Sequence, residues 1–355
     1  MIHHRHLVLI AILCAGPAVA AEDPRVLIDD GHYRRAQAAL DAGVGKDDEA
    51  LTHYLRARLK LATGDAEGAL PLAERAATLA PRDAEYRYMV AGCVGTQAER
   101  SGKIKGLGLA KRFKREAEAA LLLDPRHLET YEGLIQFYSI APGIAGGNDK
   151  RAYALAETLV RIDAPRGRLA QASLYYRDKQ EAKGDSAMRL ALAAGPNDYR
   201  VRMSMCRYYA ADARKQWPEA EAQARAALAL QPGRIAAYAS LAGLYAHLER
   251  WEDLDRVLAE SERAVPDNRT PHYQAGRTLL TDGRDPARAE RYFRAYLAIE
   301  PEIGAPTHAH AHWRLGLVIE KQGRKQEAIA SVQQALALKP DLEEAKKDLK
   351  RLKKG

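Results

Sequence analysis

The densest group of glycines in the chain is the stretch APGIAGGNDK, residues 141–150, which an alanine-rich helical pattern follows. Glycine-rich turns that open onto a helix N-terminus bind phosphate in many proteins. A Walker phosphate loop also has a Lys-Ser/Thr pair and a preceding strand pattern, and this stretch has neither. Pro142 is expected to stop one helix, the glycines to permit unusual backbone angles, and Asn148 or Asp149 to cap the next helix. We interpret the stretch as an enlarged turn, with a protein-contacting loop as the alternative.

Histidine and cysteine residues offer two other kinds of chemistry. The run THAHAH places His308 and His312 on one face of a helix, as in many metal sites, but no carboxylate or cysteine lies near them in sequence. We expect one packed and two exposed histidines there, with no metal site and no cofactor. Cys93 and Cys206 fall in separate segments that should not touch, so we predict two buried free thiols rather than a disulfide or a nucleophile. The sequence carries no hydrolase, zinc-protease, dithiol or Walker motif, and we predict that the chain is not an enzyme.

The first 20 residues have the pattern of a secretory signal peptide. A basic start with Arg5 precedes the apolar run LVLIAILCA, then Gly16-Pro17 and the small-residue site Ala18-Val19-Ala20. A membrane anchor, the alternative, needs about 20 apolar residues, and this run is shorter. We predict cleavage after Ala20 or Ala21 and export to a bacterial periplasm. Although the net charge is +8, export argues against a nucleic-acid partner.

The ending A-L-x-L-x-P recurs along the chain. The copies are AATLAP (76–81), ALLLDP (120–125), ALALQP (227–232), YLAIEP (296–301) and ALALKP (335–340), with a weaker copy, SERAVP, at 261–266. Pro232, Pro266 and Pro301 follow one another at intervals of 34 and 35 residues. A constant period of this length indicates an array of helical repeats.

The last unit, AHAHWRLGLVIEKQGRKQEAIASVQQALALKP, resembles the tetratricopeptide repeat. It has the family's Leu-Gly pair at 315–316, its turn glycine at 323, its small residues at 328 and 335 and its final proline at 340. His312, Ile319 and Val332 stand where the family prefers Trp, Tyr and Phe. The segments KIKGLGLAKRFK and FYSIAPGIAGGNDKRA together resemble a group of bacterial exported tetratricopeptide proteins with the same insertions, which supplies no catalytic residues.

The resemblance implies an all-α fold, a right-handed superhelical α-solenoid of helix-turn-helix repeats. We predict a signal peptide over 1–20, an N-terminal half-repeat cap over 21–48, eight repeat units over 49–340 and a C-terminal capping helix over 341–355. Gly184-Asp185 marks the expected turn of the fourth unit. Insertions are expected at 101–110 and 141–149, the first as an expanded inter-helix turn. Six basic residues accompany the first insertion and form either a solvated face or a surface for an acidic partner: Lys103, Lys105, Lys111, Arg112, Lys114 and Arg115.

The resemblance also implies that the first helix of each repeat lines a concave groove. The residues mapped to outward positions of that groove are Tyr54, Arg58, Tyr88, Glu132, Gln136, Tyr273, Arg277, Trp313 and Lys321. Exposed Trp, Tyr and Arg residues suit a protein or peptide ligand. We therefore expect a non-catalytic scaffold that binds a protein or peptide in the cell envelope. The alternative is a protein that docks on anionic lipid or wall polymer through its basic segments, and a more distant alternative is an enzyme of unknown type.

Overall fold

The computed structural model describes residues 22–354, and the regular structure in this range is helical. The helices are α1 (Pro24–Asp30), α2 (Tyr33–Asp41), α3 (Glu49–Ala62), α4 (Ala66–Leu79), α5 (Ala84–Arg100), α6 (Lys103–Leu123), α7 (Leu128–Ile140), α8 (Asp149–Ile162), α9 (Ala164–Arg177), α10 (Glu181–Ala194), α11 (Tyr199–Ala210), α12 (Trp217–Leu230), α13 (Ile235–His247), α14 (Trp251–Ala264), α15 (Thr270–Asp282), α16 (Pro286–Leu297), α17 (His308–Lys321), α18 (Lys325–Leu338) and α19 (Glu343–Lys354). No described helix is both long and apolar enough to cross a membrane.

Helices α3 to α18 form consecutive pairs, and each pair packs on the next. Helices α1 and α2 precede the pairs, where the sequence pattern predicted a half-repeat, and α19 follows them. The predicted fold class, an α-solenoid of helical repeats, is confirmed. The boundaries of the individual tetratricopeptide units stay a prediction.

The recurrent proline explains where several second helices end. Helices α4, α6, α12 and α18 each stop two residues before the proline of their A-L-x-L-x-P sequence. The residue before a proline disfavours the α conformation, so the helix cannot continue through it. Alanines on these helices, such as Ala69, Ala224 and Ala328, are fully buried and let the paired helices approach closely.

The first insertion is helical, so the expectation of an expanded turn over 101–110 is wrong. Only Ser101 and Gly102 separate α5 from α6, which then continues without interruption to Leu123. Gly106 does not break the helix. It lies so close to α5 that an added Cβ would stand 3.2 Å from the carbonyl oxygen of Ala98, and it therefore serves helix packing.

The expected turn at Gly184-Asp185 is also wrong, for a similar reason. Both residues lie inside α10, and the turn precedes them at residues 178–180. A Cβ at Gly184 would stand 2.4 Å from the ring of Tyr176, so this glycine makes room for an aromatic side chain of α9.

The stretch 141–149 forms an enlarged turn between α7 and α8. Residues 143–145 form one 3₁₀ turn, and Gly146 has a left-handed backbone with φ of 106°. The N–H of Asn148 donates to the carbonyl of Tyr138 at 2.8 Å and closes the loop. The Asn148 side chain accepts a hydrogen bond from the N–H of Arg151 at 3.1 Å, so Asn148 rather than Asp149 caps α8.

The N-terminal helices contact loops that lie far along the chain. Asp30 Oδ1 pairs with Arg234 Nε at 2.8 Å, just before α13. Arg34 Nε donates to the carbonyl of Pro301 at 2.8 Å, and the Arg34 N–H donates to Glu302 Oε1 at 2.9 Å, in the segment before α17. The path of the solenoid thus brings the start of the described chain against its sixth and eighth helix pairs.

Both cysteines outside the first 20 residues are buried and free, as predicted. Burial raises the pKa of the Cys93 thiol to about 12 and that of Cys206 to about 11. Neither thiol is therefore a ready nucleophile at neutral pH. The predicted signal peptide lies outside the described residues.

Candidate partner-binding surface

The first helices of the pairs form a face that we call the first-helix face. In one run, α3 contacts α5, α5 contacts α7, α7 contacts α9, and α9 contacts α11. In a second run, α13 contacts α15 and α15 contacts α17. Within each run, side chains on neighbouring first helices can therefore contact the same ligand.

At the start of the first run, the predicted residues Tyr54 and Arg58 are already engaged. Tyr54 is buried, at 6% exposure, and its hydroxyl donates to Glu85 Oε1 at 2.5 Å. Arg58 pairs with Asp29 of α1. The expectation that Tyr54 is outward is wrong, because the next first helix covers it, whereas Arg58 stays partly exposed and is held by α1.

Tyr88, Glu132 and Gln136 occupy the middle of the first run. Tyr88 is half-buried, and its ring lies beside that of His127, with the ring centres 5.6 Å apart. Burial raises the pKa of the Glu132 carboxyl, which stands 3.9 Å from Arg166 Nε. Gln136 is exposed one turn further along α7.

The other four predicted residues lie on the second run. Tyr273 is buried, at 6% exposure, against Phe293 and Tyr296, because its ring fills the space between α15 and α16. Its hydroxyl accepts a hydrogen bond from Arg314 Nε at 2.8 Å.

Trp313 is half-buried, and its indole N–H donates to Asp348 Oδ2 of α19 at 2.8 Å. Arg277 and Lys321 are exposed. Arg314 links Tyr273 to Trp313, since its guanidinium also lies 5.0 Å from the Trp313 ring. The structure thus joins predicted residues within each run but does not gather all nine into one site.

The six basic residues of α6 divide into two groups. Arg112 pairs with Glu74, Arg115 pairs with Glu116, and Lys114 Nζ lies 5.9 Å from the centre of the Tyr138 ring. Lys103, Lys105 and Lys111 are exposed and have no carboxylate within 4.0 Å among the described residues.

Apolar side chains are exposed near both insertions. Ile104, between two of the free lysines, is 93% exposed, and Ile144 in the enlarged turn is 73% exposed. The turn packs against α6, since the Lys114 stem would meet a Cβ at Gly146 at 3.3 Å. The enlarged turn is therefore held against the middle of α6, one turn beyond the first insertion.

A charged network on α5, α7 and α9 was not predicted from the sequence. His127 Nε2 lies 2.8 Å from Glu85 Oε2, and Arg166 Nη1 donates to Glu129 Oε1 at 2.7 Å. Burial alone would lower the pKa of His127, but the Glu85 carboxylate raises it above its ordinary value. Glu85 in turn has a lowered pKa, because hydrogen bonds from His127 and Tyr54 outweigh the effect of burial.

A cavity of about 400 Å³ opens between α9 and α11. Its lining includes Leu169 and Met188 together with the polar side chains of Ser173, Tyr176, Ser204, Arg207, Tyr208 and Arg214. The Arg214 guanidinium lies 4.0 Å from the centre of the Tyr208 ring and pairs with Asp185 at 2.6 Å. Tyr176 and Tyr208, which line it, each belong to a Tyr-Tyr pair of the sequence, at 175–176 and 208–209.

Arg207, which lines this cavity, is one of two exposed arginines on α11. Arg200 and Arg207 are separated by two helical turns with Ser204 between them, so all three share one side of α11. Arg207 Nη2 donates to Ser204 Oγ at 3.1 Å. In the part of the chain that the structure describes, neither arginine has a carboxylate within 4.0 Å.

The histidines of THAHAH lie at the start of α17. His308 Nε2 is 2.9 Å from the carbonyl oxygen of Ile299, and His310 Nδ1 is 2.9 Å from Thr307 Oγ1. His312 is half-buried, and burial lowers its pKa. His308 and His310 thus lie close to oxygen atoms, and His312 is packed. In the described part of the chain, a histidine that lies among carboxylates is His127.

Comparison with known proteins concerns the repeat and the fold. The family model described as tetratricopeptide repeat matches residues 25–84 and 273–343. No curated protein matches the chain.

Three solved structures are similar to parts of the chain. PilW, described as a widely conserved type IV pilus biogenesis factor, is 20% identical over 62% of this chain and 98% of its own, with a TM-score of 0.45. Yeast Tom70 is 12% identical over 93% of this chain and 86% of its own, with a TM-score of 0.49. A tetratricopeptide repeat protein from Parabacteroides merdae is 14% identical over 74% of this chain and 98% of its own, with a TM-score of 0.43. By its helix pairing the chain is an α-solenoid, and the family match shows tetratricopeptide repeat sequence over residues 25–84 and 273–343.

Proposed function

We propose that the protein is a non-catalytic scaffold of the cell envelope that binds an acidic segment of a protein partner on the first-helix face, at the cavity between α9 and α11. The observation that carries this proposal is the side of α11 with Arg200, Ser204 and Arg207. Two exposed guanidinium groups without carboxylate partners offer charge-assisted hydrogen bonds to acidic side chains. The signal-peptide pattern of residues 1–20 supports the envelope location.

The lining of the cavity favours a peptide over a single small ion. Tyr176 and Tyr208 offer half-buried aromatic surface, and Leu169 and Met188 add apolar contact below the charged groups. Aromatic residues and arginine are the types that contribute most to protein interfaces. Ser173 and Ser204 provide hydroxyl groups for hydrogen bonds to a peptide backbone.

Crosslinking inside cells tests this assignment. A photo-reactive residue introduced in place of Ser173 is expected to form an adduct with one defined protein. The double variant Arg200→Glu with Arg207→Glu should abolish that adduct, because its new carboxylates repel an acidic segment. The matched control is Arg189→Glu, which reverses an exposed charge on the second helix α10 and should leave the adduct unchanged. An adduct that survives in the double variant, or that disappears equally in the control, would refute the assignment.

Docking on an anionic surface is the second candidate, and the exposed Ile104 beside the free lysines Lys103, Lys105 and Lys111 favours it. Basic residues around an inserted apolar side chain are typical of proteins that bind anionic membranes. We expect the full chain to float with phosphatidylglycerol vesicles and not with neutral phosphatidylcholine vesicles. Moderate salt or Ile104→Glu should abolish flotation. Absence of flotation with anionic vesicles at low salt would exclude this candidate.

A further inference from the structure

Three side chains on α5 and at the start of α7 converge on the first-helix face. One ligand atom each of Glu85, His127 and Glu129 lies within 4.8 Å of the other two. His127 is more than nine-tenths buried, at 8% side-chain exposure, and its Nε2 points at Glu85 Oε2. This juxtaposition of one imidazole and two carboxylates is what divalent transition metals bind in proteins.

The backbone fixes the positions from which the three groups converge. His127 is the N-cap residue of α7, and Glu129 is the second residue of that helix. Glu85 is the second residue of α5, the neighbouring first helix. The site is therefore held between two packed helix starts rather than on a flexible loop, which reduces the entropy lost when a metal binds.

The groups around the three ligands orient them. His127 Nδ1 accepts the cap hydrogen bond from the Thr130 N–H at 3.3 Å and also lies 2.8 Å from Thr130 Oγ1. The hydroxyl oxygen is therefore placed to accept a proton from Nδ1 when Nε2 binds a metal. The Tyr54 hydroxyl donates to Glu85 Oε1 and leaves Oε2 directed at the imidazole. Arg166 holds Glu129 through Oε1 and leaves its other carboxylate oxygen available.

We propose that Glu85, His127 and Glu129 form a binding site for a divalent transition metal of the zinc class. The metal takes the place of the proton between His127 Nε2 and Glu85 Oε2, and that proton moves to Nδ1. The imidazole then donates through Nδ1 to Thr130 Oγ1 and gives up the hydrogen bond from the Thr130 N–H. Bonds of about 2.0–2.2 Å to nitrogen and oxygen place neighbouring ligand atoms of a tetrahedral site roughly 3.3 Å apart, a contraction that carboxylate rotation supplies. The fourth position opens to the groove and takes water or a ligand atom from a bound molecule. This site does not depend on the partner proposed for α9 and α11.

Cobalt and zinc binding to the untagged full chain tests the site. We expect Co²⁺ to give a visible absorption band that Zn²⁺ removes, and calorimetry to show one zinc equivalent at this site. His127→Ala should weaken zinc binding by at least about tenfold and abolish the cobalt band. Because His127 also caps α7, Glu129→Gln is the second variant, and circular dichroism should show native helicity for both.

Glu132→Gln is the matched control, since Glu132 lies one turn along α7 and near the same Arg166 but outside the three-ligand group. It should keep the wild-type affinity and absorption. The proposal is overturned if the wild-type chain binds neither metal, or if binding persists unchanged in both His127→Ala and Glu129→Gln. Equal loss in Glu132→Gln would also overturn it, because the signal would then report a general acidic surface.

Discussion

Replacement of Gly147 by alanine is expected to break the enlarged turn between α7 and α8. An added Cβ at this position would stand 1.8 Å from the carbonyl oxygen of Ala141, which belongs to the backbone and cannot rotate away. The backbone must therefore shift by more than 1 Å to reach an ordinary contact of roughly 3.2 Å. Gly143, in the same turn, has nothing within 4 Å of such a Cβ, and it provides the matched control.

The hydrogen bonds that close the turn set the size of the effect. The shift disrupts the bond from Gly147 N–H to the carbonyl of Pro142, at 3.1 Å, and the bond from Asn148 N–H to the carbonyl of Tyr138, at 2.8 Å. Each contributes about 0.5–1.5 kcal/mol, and the Asn148 cap of α8 adds about 1 kcal/mol. We expect Gly147→Ala to lower the free energy of unfolding by about 2–4 kcal/mol and Gly143→Ala to change it by less than about 0.5 kcal/mol.

Urea unfolding followed by circular dichroism measures both variants. The midpoint of Gly147→Ala should fall well below the wild-type value, while that of Gly143→Ala should stay close to it. Equal midpoints for the two variants would refute the reasoning, since they would show that the turn does not need a glycine at position 147. A large loss in Gly143→Ala would show that the stretch is more tightly built than its contacts indicate.

Three further predictions follow from buried or long-range contacts. Burial lowers the pKa of His272 to about 4, against an ordinary 6.5, so the folded state resists a proton that the unfolded state accepts. The contribution of this histidine to the stability of the protein is full above pH 6.5 and is lost as the pH falls towards 4; His272→Asn should show a smaller loss of stability in urea titrations over that range. Arg34→Ala removes the donor to Pro301 and should make amides of α1 and α2 exchange faster by hydrogen–deuterium mass spectrometry, whereas unchanged exchange would show that the contact is dispensable. Cys93 and Cys206 should react with a thiol reagent only after unfolding, and rapid labelling of the native chain would contradict their burial.

The periodic features of the fold could be predicted because each depends on local sequence. Prolines such as Pro232 and Pro340 end the preceding helices through a restriction on the residue before them, which acts over one peptide bond. The A-L-x-L-x-P sequence therefore marks the ends of α4, α6, α12 and α18, whereas α16 ends at Leu297, four residues before Pro301. Glycines are less informative, because Gly106 and Gly184 lie inside helices and serve contacts with another helix. Sequence alone does not distinguish a glycine that permits a turn from one that makes room for a neighbour.

The candidate site could be predicted only in part, because its groups meet across helices. The first-helix positions of the repeat predicted Tyr88, Glu132 and Gln136 as site residues. They did not predict His127, because it is the N-cap of α7 and precedes the helix. The contact between Asp30 and Arg234 depends on the path of the whole solenoid, and no periodicity within one repeat encodes it. The same holds for the burial of Tyr54 and the pairing of Arg58, which neighbouring helices determine.

The positions of the paired and unpaired arginines indicate how long a segment bound along the first run of the first-helix face would be. Asp29 already occupies Arg58 at the α3 end, whereas Arg200 and Arg207 are free at the α11 end. Packed helices lie 8–10 Å apart, so the distance from α7 to α11 across α9 is roughly 20 Å. An extended peptide rises about 3.3 Å per residue and crosses that distance with roughly six residues. A segment of this length with acidic residues at one end would place them at Arg200 and Arg207 and its other end near Glu129 and His127, so the two proposed sites could contact one ligand.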